Sequence, residues 1–241
     1  MEIPTEMQHQ AMGYDRAATM FSPDGHLLQV EYAEKTVRLG SSSIGIVCKE
    51  GVVIIADRRI RDKLIAPESA NKIFEVDEHI VATAAGILSD ARILIDQAQV
   101  LAQQNRVTYA TPIEPISVIR MIADRKQMFT QYGGARPYGA AFLLGGVNKG
   151  KSYLYTSDVT GNFFAYRANA IGENDERVKE ILRREFRDDL TIEEGIKFIL
   201  KIFKEILEKN FDLNRFDAGY IKLSDSKLVR LHGDELKRYL K

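Results

Sequence analysis

Between residues 43 and 56 almost every position is apolar or small. The two runs are Ser43-Ile44-Gly45-Ile46-Val47-Cys48 and Val52-Val53-Ile54-Ile55-Ala56, joined by Lys49-Glu50-Gly51. A strand turns successive side chains to opposite faces, so a run that is apolar throughout must be covered on both faces. The pair reads as a buried hairpin. Further strand patterns fall at 72–76, 79–85, 138–147, 153–157, 162–166, 168–171, 218–223 and 227–231. Between them the period becomes helical. Ile87, Ala91, Leu94, Ile95, Ala98, Leu101 and Ala102 mark one long helix, and Ile116, Ile119, Ile122, Ala123 and Phe129 mark a second that should pack antiparallel to it. Helices are also expected over about 174–187 and 191–209, the latter opened by the capping box Thr191-Ile192-Glu193-Glu194, and a short one at the C-terminus.

Strands, two helices, strands, two helices, strands is the order of an α+β fold. Each sheet can cover one face with the other sheet and one with a helix pair. The expectation is a four-layer αββα sandwich, in one domain over residues 14–241. Residues 1–13, polar and without period, read as a mobile N-terminal tail.

Thirty-four Lys plus Arg balance thirty-four Asp plus Glu, so no net field would draw the chain to nucleic acid or to an anionic membrane, and neither is expected as a partner. The longest apolar run, 80–88, is interrupted at Thr83 and Gly86 and is too short to span a bilayer. With no apolar segment near the N-terminus, a cytoplasmic protein is expected. The single cysteine, Cys48, cannot form an internal disulfide and suits a reducing compartment, where it should act as a small core hydrophobe. His9, His26, His79 and His232 are scattered without metal-ligand spacing, and no metal or cofactor is expected.

Gly145-Gly146-Val147-Asn148-Lys149-Gly150-Lys151-Ser152 satisfies the phosphate-loop pattern. Such a loop must open a helix, whereas Tyr153-Leu154-Tyr155-Thr156-Ser157 alternates like a strand. Asn148-Lys149-Gly150 therefore reads as a hairpin turn.

From His26 onward, Leu27, Val30, Tyr32, Ala33 and Val37 recur at helical spacing, with Ser22-Pro23-Asp24 as a start signal and Gly40 as a stop, predicting a helix over about 26–39. The segment around it is more specific than patterning alone: Gly13-Tyr14-Asp15-Arg16, then Phe21-Ser22-Pro23-Asp24-Gly25, then Gln29-Val30-Glu31-Tyr32-Ala33. It resembles the N-terminal signature of archaeal-type proteasome α subunits. The likeness continues through Gly86-Ile87-Leu88-Ser89-Asp90-Ala91-Arg92, through 130–139 and through Ala170-Ile171-Gly172. Departures are Ala18, Met20, His26 where Arg is usual, Ile87-Leu88-Ser89, and Ala135 where Val is common.

The resemblance implies an Ntn-hydrolase-like sandwich without catalytic residues. It also implies homo-heptameric outer rings of a 20S core particle that gate entry of unfolded proteins to a chamber of proteolytic β subunits. The gate residues would be Tyr14, Asp15 and Arg16, with Pro23 and Tyr32. A pore annulus would map to Tyr132, Gly133, Gly134 and Ala135. Pockets for the C-terminal tails of activator ATPases would use Lys72, Gly40, Gly86 and Ile87, with Glu31 nearby. The helix over 26–39 should bury its apolar face against a neighbouring subunit, since that face would otherwise be wet. A rival reading keeps the fold but makes it an enzyme. Cleavage after Gly40 would expose Ser41 as an N-terminal nucleophile, with Asp57 and Lys72 assisting.

Overall fold

The computed structural model describes residues 12–59, 62 and 64–240. Of the tail expected over 1–13, residues 1–11 lie outside the described residues. Two antiparallel five-stranded sheets form the centre. In the first, the order β10-β9-β2-β1-β8 joins Leu228–His232, Phe216–Lys222, Gly51–Asp57, Ser43–Cys48 and Ala168–Ile171. In the second, β3-β4-β5-β6-β7 joins Phe74–Asp77, Ile80–Gly86, Ala140–Asn148, Lys151–Ser157 and Phe163–Ala165. Six α-helices among the described residues complete the chain: α1 Leu28–Leu39, α2 Leu88–Tyr109, α3 Pro115–Gln131, α4 Asp175–Glu185, α5 Ile192–Leu207 and α6 Gly233–Leu236.

The alternation within β2 shows why the layers form. Val53 and Ile55 pack with Ile196, Ile199 and Phe203 of α5, while Val52, Ile54 and Ala56 meet Val81, Leu143 and Leu154 of the second sheet. On the far side Ile80, Ala82 and Phe142 meet Leu94 of α2 and Ile119 and Ile122 of α3. The expected αββα sandwich is therefore present, with α1 as an addition at its N-terminal edge. The capping box forms as read: Glu194 N donates to Thr191 Oγ1 at 3.2 Å and Thr191 N to Glu194 Oε2 at 2.8 Å.

Three local expectations change. The first hairpin turns on Lys49-Glu50 alone; Gly51 belongs to β2, where a Cβ would fall 2.1 Å from Ile221 O. The phosphate-loop look-alike is a two-residue turn, Lys149 (φ 48°) and Gly150 (φ 75°), pairing Asn148 with Lys151. Gly40 does not end α1 in a left-handed cap, since its φ is −71°. It is small because a Cβ would lie 2.3 Å from Gly86 N.

At its N-terminus α1 starts at Leu28, because Ser22 closes a turn instead of capping the helix. Its hydroxyl accepts from His26 N at 3.1 Å and its own amide donates to His26 O at 2.9 Å. Nor is the apolar face of α1 left wet by the lone chain. Val30 and Ala33 are buried against Val159, and Val37 packs on the core between the sheets. Exposed apolar surface at this edge lies instead at Met20, Phe21 and Leu39.

Candidate functional site

Where α1 gives way to β1, Ser41 meets Lys72, which stands just ahead of β3. Lys72 is only 3% exposed. Its Nζ donates to Ser41 Oγ at 2.7 Å and to Ser41 O at 3.1 Å. Burial pushes the amine down to about 8, against the pull of Asp57 and Asp217, with Arg59 adding to the lowering. Lys72 is thus a core group.

Two carboxylates on adjacent strands frame it. Asp57, at the end of β2, accepts from Arg215 Nη2 at 2.6 Å and Nε at 3.2 Å, and from Arg59 N at 2.9 Å. Asp217, fully buried in β9, accepts from Lys72 N at 3.0 Å, lies 2.9 Å from His232 Nδ1, and has Arg58 Nε at 3.3 Å. Buried charge is tolerable when paired and hydrogen-bonded in this way. Glu173 pairs with Arg59 and, through its amide, donates to Gly40 O at 2.8 Å.

The structure therefore brings together Ser41 and Lys72, as the rival enzyme reading requires, while Asp57, the third group that reading names, accepts from Arg215. Cys48 is buried with its thiol raised to about 12, chiefly by burial, which makes it an inert core group.

Gly40, Gly86 and Ile87 come together beside Ser41. Gly86 adopts φ 112°, and a Cβ there would meet Gly139 O at 2.1 Å; Ile87 N donates to that same oxygen at 2.8 Å. Three backbones thus touch without side chains between them, and Lys72 is reached through Ser41. Glu31 stands in the first turn of α1, its carboxylate 2.5 Å from His26 Nδ1.

Tyr14, Asp15 and Arg16 lie in a turn closed by Arg16 N to Gly13 O at 3.1 Å, and Gln29 of α1 ties it down by donating to Asp15 O at 2.5 Å. Pro23 is exposed within the Ser22 turn, and Tyr32 is half-buried with the Lys35 ammonium 5.3 Å from its ring centroid. Tyr132, Gly133 and Gly134 form an exposed turn after α3. Gly134 has φ 82°, and Ala135 N donates back to Tyr132 O at 3.4 Å. This turn is anchored by a group that the sequence reading did not single out. Asp90 receives Arg136 through two hydrogen bonds of 2.6 and 2.7 Å, and Gly139 N at 2.9 Å. Burial would raise its carboxyl, but those donors hold it below the usual range.

The sequence reading also missed Asp217, Arg215, Arg58, His232 and Lys126. Lys126 had a signal. It falls seven, four and three residues after Ile119, Ile122 and Ala123, on the apolar stripe of α3, and it is fully buried. For Asp217 there was none, since Lys72 lies 145 residues away along the chain. Among the described residues no group of His, Cys, Asp or Glu side chains gathers to hold a metal ion, and no helix is long and apolar enough to cross a membrane.

Comparison with known proteins agrees with this geometry. Residues 37–221 match the proteasome subunit family, and residues 14–35 match the N-terminal signature of its A-type members. The chain is 43% identical to the proteasome alpha subunit of Pyrococcus horikoshii over 95% of its own length and 87% of that relative. It is 43% identical to that of Archaeoglobus fulgidus and 42% identical to that of Methanosarcina acetivorans, in each case over 95% of this chain and 93% of the relative. The signature match covers the Tyr14–Arg16 turn and most of α1, and the larger match runs from the end of α1 through nearly all of β9, so the chain belongs to the proteasome subunit family as a member of its alpha type.

Proposed function

We propose that this chain is a non-catalytic α subunit of a cytoplasmic 20S core particle. In this reading it forms homo-heptameric outer rings with neighbouring copies, stacks on proteolytic β subunits, and gates the passage of unfolded proteins into their chamber. The observation that carries it is the signature segment: residues 14–35 match the A-type N-terminal signature, and they fold as the Tyr14–Arg16 turn tied by Gln29 to α1. Gate residues would be Tyr14, Asp15, Arg16, Pro23 and Tyr32. The exposed turn of Tyr132, Gly133, Gly134 and Ala135 would line the annulus, and exposed Phe21, Met20 and Leu39 offer apolar surface to a neighbour.

Activator ATPase tails would end at Lys72, beside Gly40, Gly86 and Ile87, with Glu31 on the helix above. The gathering of Gly40, Gly86 and Ile87 beside Ser41, which Lys72 binds, supports this, because the two glycines set no side chain in front of it. A carboxylate–ammonium hydrogen bond in such a place contributes about 1.5–3 kcal/mol, multiplied in effect when tails dock around a ring. Native mass spectrometry of the chain with and without an archaeal β subunit tests the assembly, and peptide hydrolysis by the isolated chain tests the absence of catalysis. Lys72→Ala is expected to abolish stimulation of an assembled particle by a tail peptide. Stimulation that survives in rings of unaltered mass would place the carboxylate elsewhere.

A further inference from the structure

The turn of Tyr132, Gly133, Gly134 and Ala135 has little packing of its own. Tyr132 is 60% exposed, a Cβ on Gly133 or Gly134 would meet no atom within 4 Å, and the hydrogen bond across the turn, Ala135 N to Tyr132 O, is 3.4 Å long. Such a turn takes its position from its two ends. On the α3 side Phe129 faces the Tyr132 ring at 6.5 Å and the Tyr138 ring at 4.7 Å between centroids. On the other side stands Asp90, buried in the first turn of α2. Its Oδ1 accepts from Arg136 Nη2 at 2.7 Å, and its Oδ2 accepts from Arg136 Nη1 at 2.6 Å and from Gly139 N at 2.9 Å. A bidentate guanidinium–carboxylate pair fixes direction as well as distance. The contacts continue through the same peptide. Gly139 O accepts from Ile87 N at 2.8 Å and from Thr36 Oγ1 of α1 at 3.2 Å, a hydroxyl that Ala33 O shares. A Cβ on Gly139 would fall 2.7 Å from Ile87 Cδ1 and 2.8 Å from Thr36 Oγ1. The start of α2, the side of α1 and the segment leading out of the turn therefore meet at Gly139, and Asp90 grips both that peptide and the turn.

We infer that Asp90 is a positioning residue: through Arg136 and the Gly139 peptide it holds the 132–135 turn, the Gly86–Ile87 backbone and α1 in one fixed arrangement.

Each donor has a separate share in this arrangement. Arg136 ties the carboxylate to the turn, and Gly139 N ties it to the peptide that Ile87 and Thr36 also hold. Lysine lacks the planar fork of arginine, so Arg136→Lys loosens the turn while Asp90 keeps Gly139 N. Asp90→Ala removes both ties at once. Within the gate reading, on which this consequence rests, the turn that would line the annulus and the backbone that would receive activator tails are set by one carboxylate in each subunit. The positioning itself is independent of that reading.

Gly133→Cys in the full-length chain places a nitroxide on the turn, where a side chain has room, and the buried Cys48 stays unlabelled. With labelled copies diluted among unlabelled ones, the spectrum is expected to shift to a more mobile form on adding Arg136→Lys. In hydrogen exchange Asp90→Ala is expected to lose about ten- to hundredfold of the protection in peptides spanning 85–89 and 136–141, the range for a hydrogen bond to a charged group, with α5 unchanged. Arg136→Lys is expected to leave the 85–89 peptide as it was. Equal label mobility with and without Arg136→Lys overturns the role, as does exchange in Asp90→Ala that rises as much in α5 as at Gly139. Should Asp90→Ala fail to fold, the label in Arg136→Lys and Arg136→Met decides, and an unmoved spectrum in both overturns the role. In particles assembled with an archaeal β subunit, a loosened turn should alter the ratio of unfolded-protein to short-peptide hydrolysis. A loosened turn with an unaltered ratio upholds the positioning role and removes the turn from the pore.

Discussion

Two buried amines sit in contrasting regions of one sandwich. Lys72 lies where α1, β1, β2 and β9 converge, with Asp57 and Asp217 close enough to favour its charge. Lys126 lies under α1 among two carbonyls, a hydroxyl and an aromatic face, with Asp158 acting only from a distance. Burial lowers both, but the carboxylates leave Lys72 at about 8 and Lys126 at about 7. The difference teaches that burial lowers a cation first and that neighbouring charges decide how much of the lowering is offset. Asp217, close to Lys72, is shared by a backbone amide, a guanidinium and an imidazole, whereas Asp158 is turned towards its own loop.

The strongest way to break this comparison is to remove the shared carboxylate. Asp217→Ala leaves the Lys72 amide, Arg58 and His232 without the group they converge on, and loss of one partner from a buried charged network costs about 3–5 kcal/mol. Urea unfolding measures it. A loss below about 1 kcal/mol would mean that the three groups do not depend on Asp217.

A smaller effect sharpens the contrast through pH. For each amine the folded value lies below the unfolded one, so between them the unfolded chain binds more protons and stability rises with pH. The rise belongs to the window from about 7 to 10.5 for Lys126 and from about 8 to 10.5 for Lys72. Lys126→Met forfeits buried hydrogen bonds at about 1–3 kcal/mol at pH 9 and is expected to cost less at pH 6, where the wild type carries the buried charge. Unfolding curves at the two pH values check the sign, and an equal cost at both would refute a lowered amine.

The smallest expected change lies far from either lysine. Thr191→Ala removes the hydroxyl that caps α5, at about 1 kcal/mol, without any dependence on the charge state of Lys72 or Lys126. Thermal unfolding at pH 6 and pH 9 should show the same small decrement at both.

Much of the fold was legible because its signals are local. The doubly apolar runs required two-sided burial, and the alternation after Ser152 ruled out a phosphate-binding helix. Thr191 and Glu194 fixed a helix start, and the signature around Tyr14–Ala33 matched its family. What only the tertiary structure decided is where side chains meet across long stretches of chain. Lys72 rests on Ser41 from 31 residues away, Arg215 on Asp57 from 158, and Gly40 is small because Gly86 passes against it rather than because a helix ends there. Periodicity reports which face of an element is buried, and for Lys126 it did so. It carries no record of which carbonyls or carboxylates the register of distant strands will bring to that face, and those partners decide how far a buried amine departs from its ordinary value.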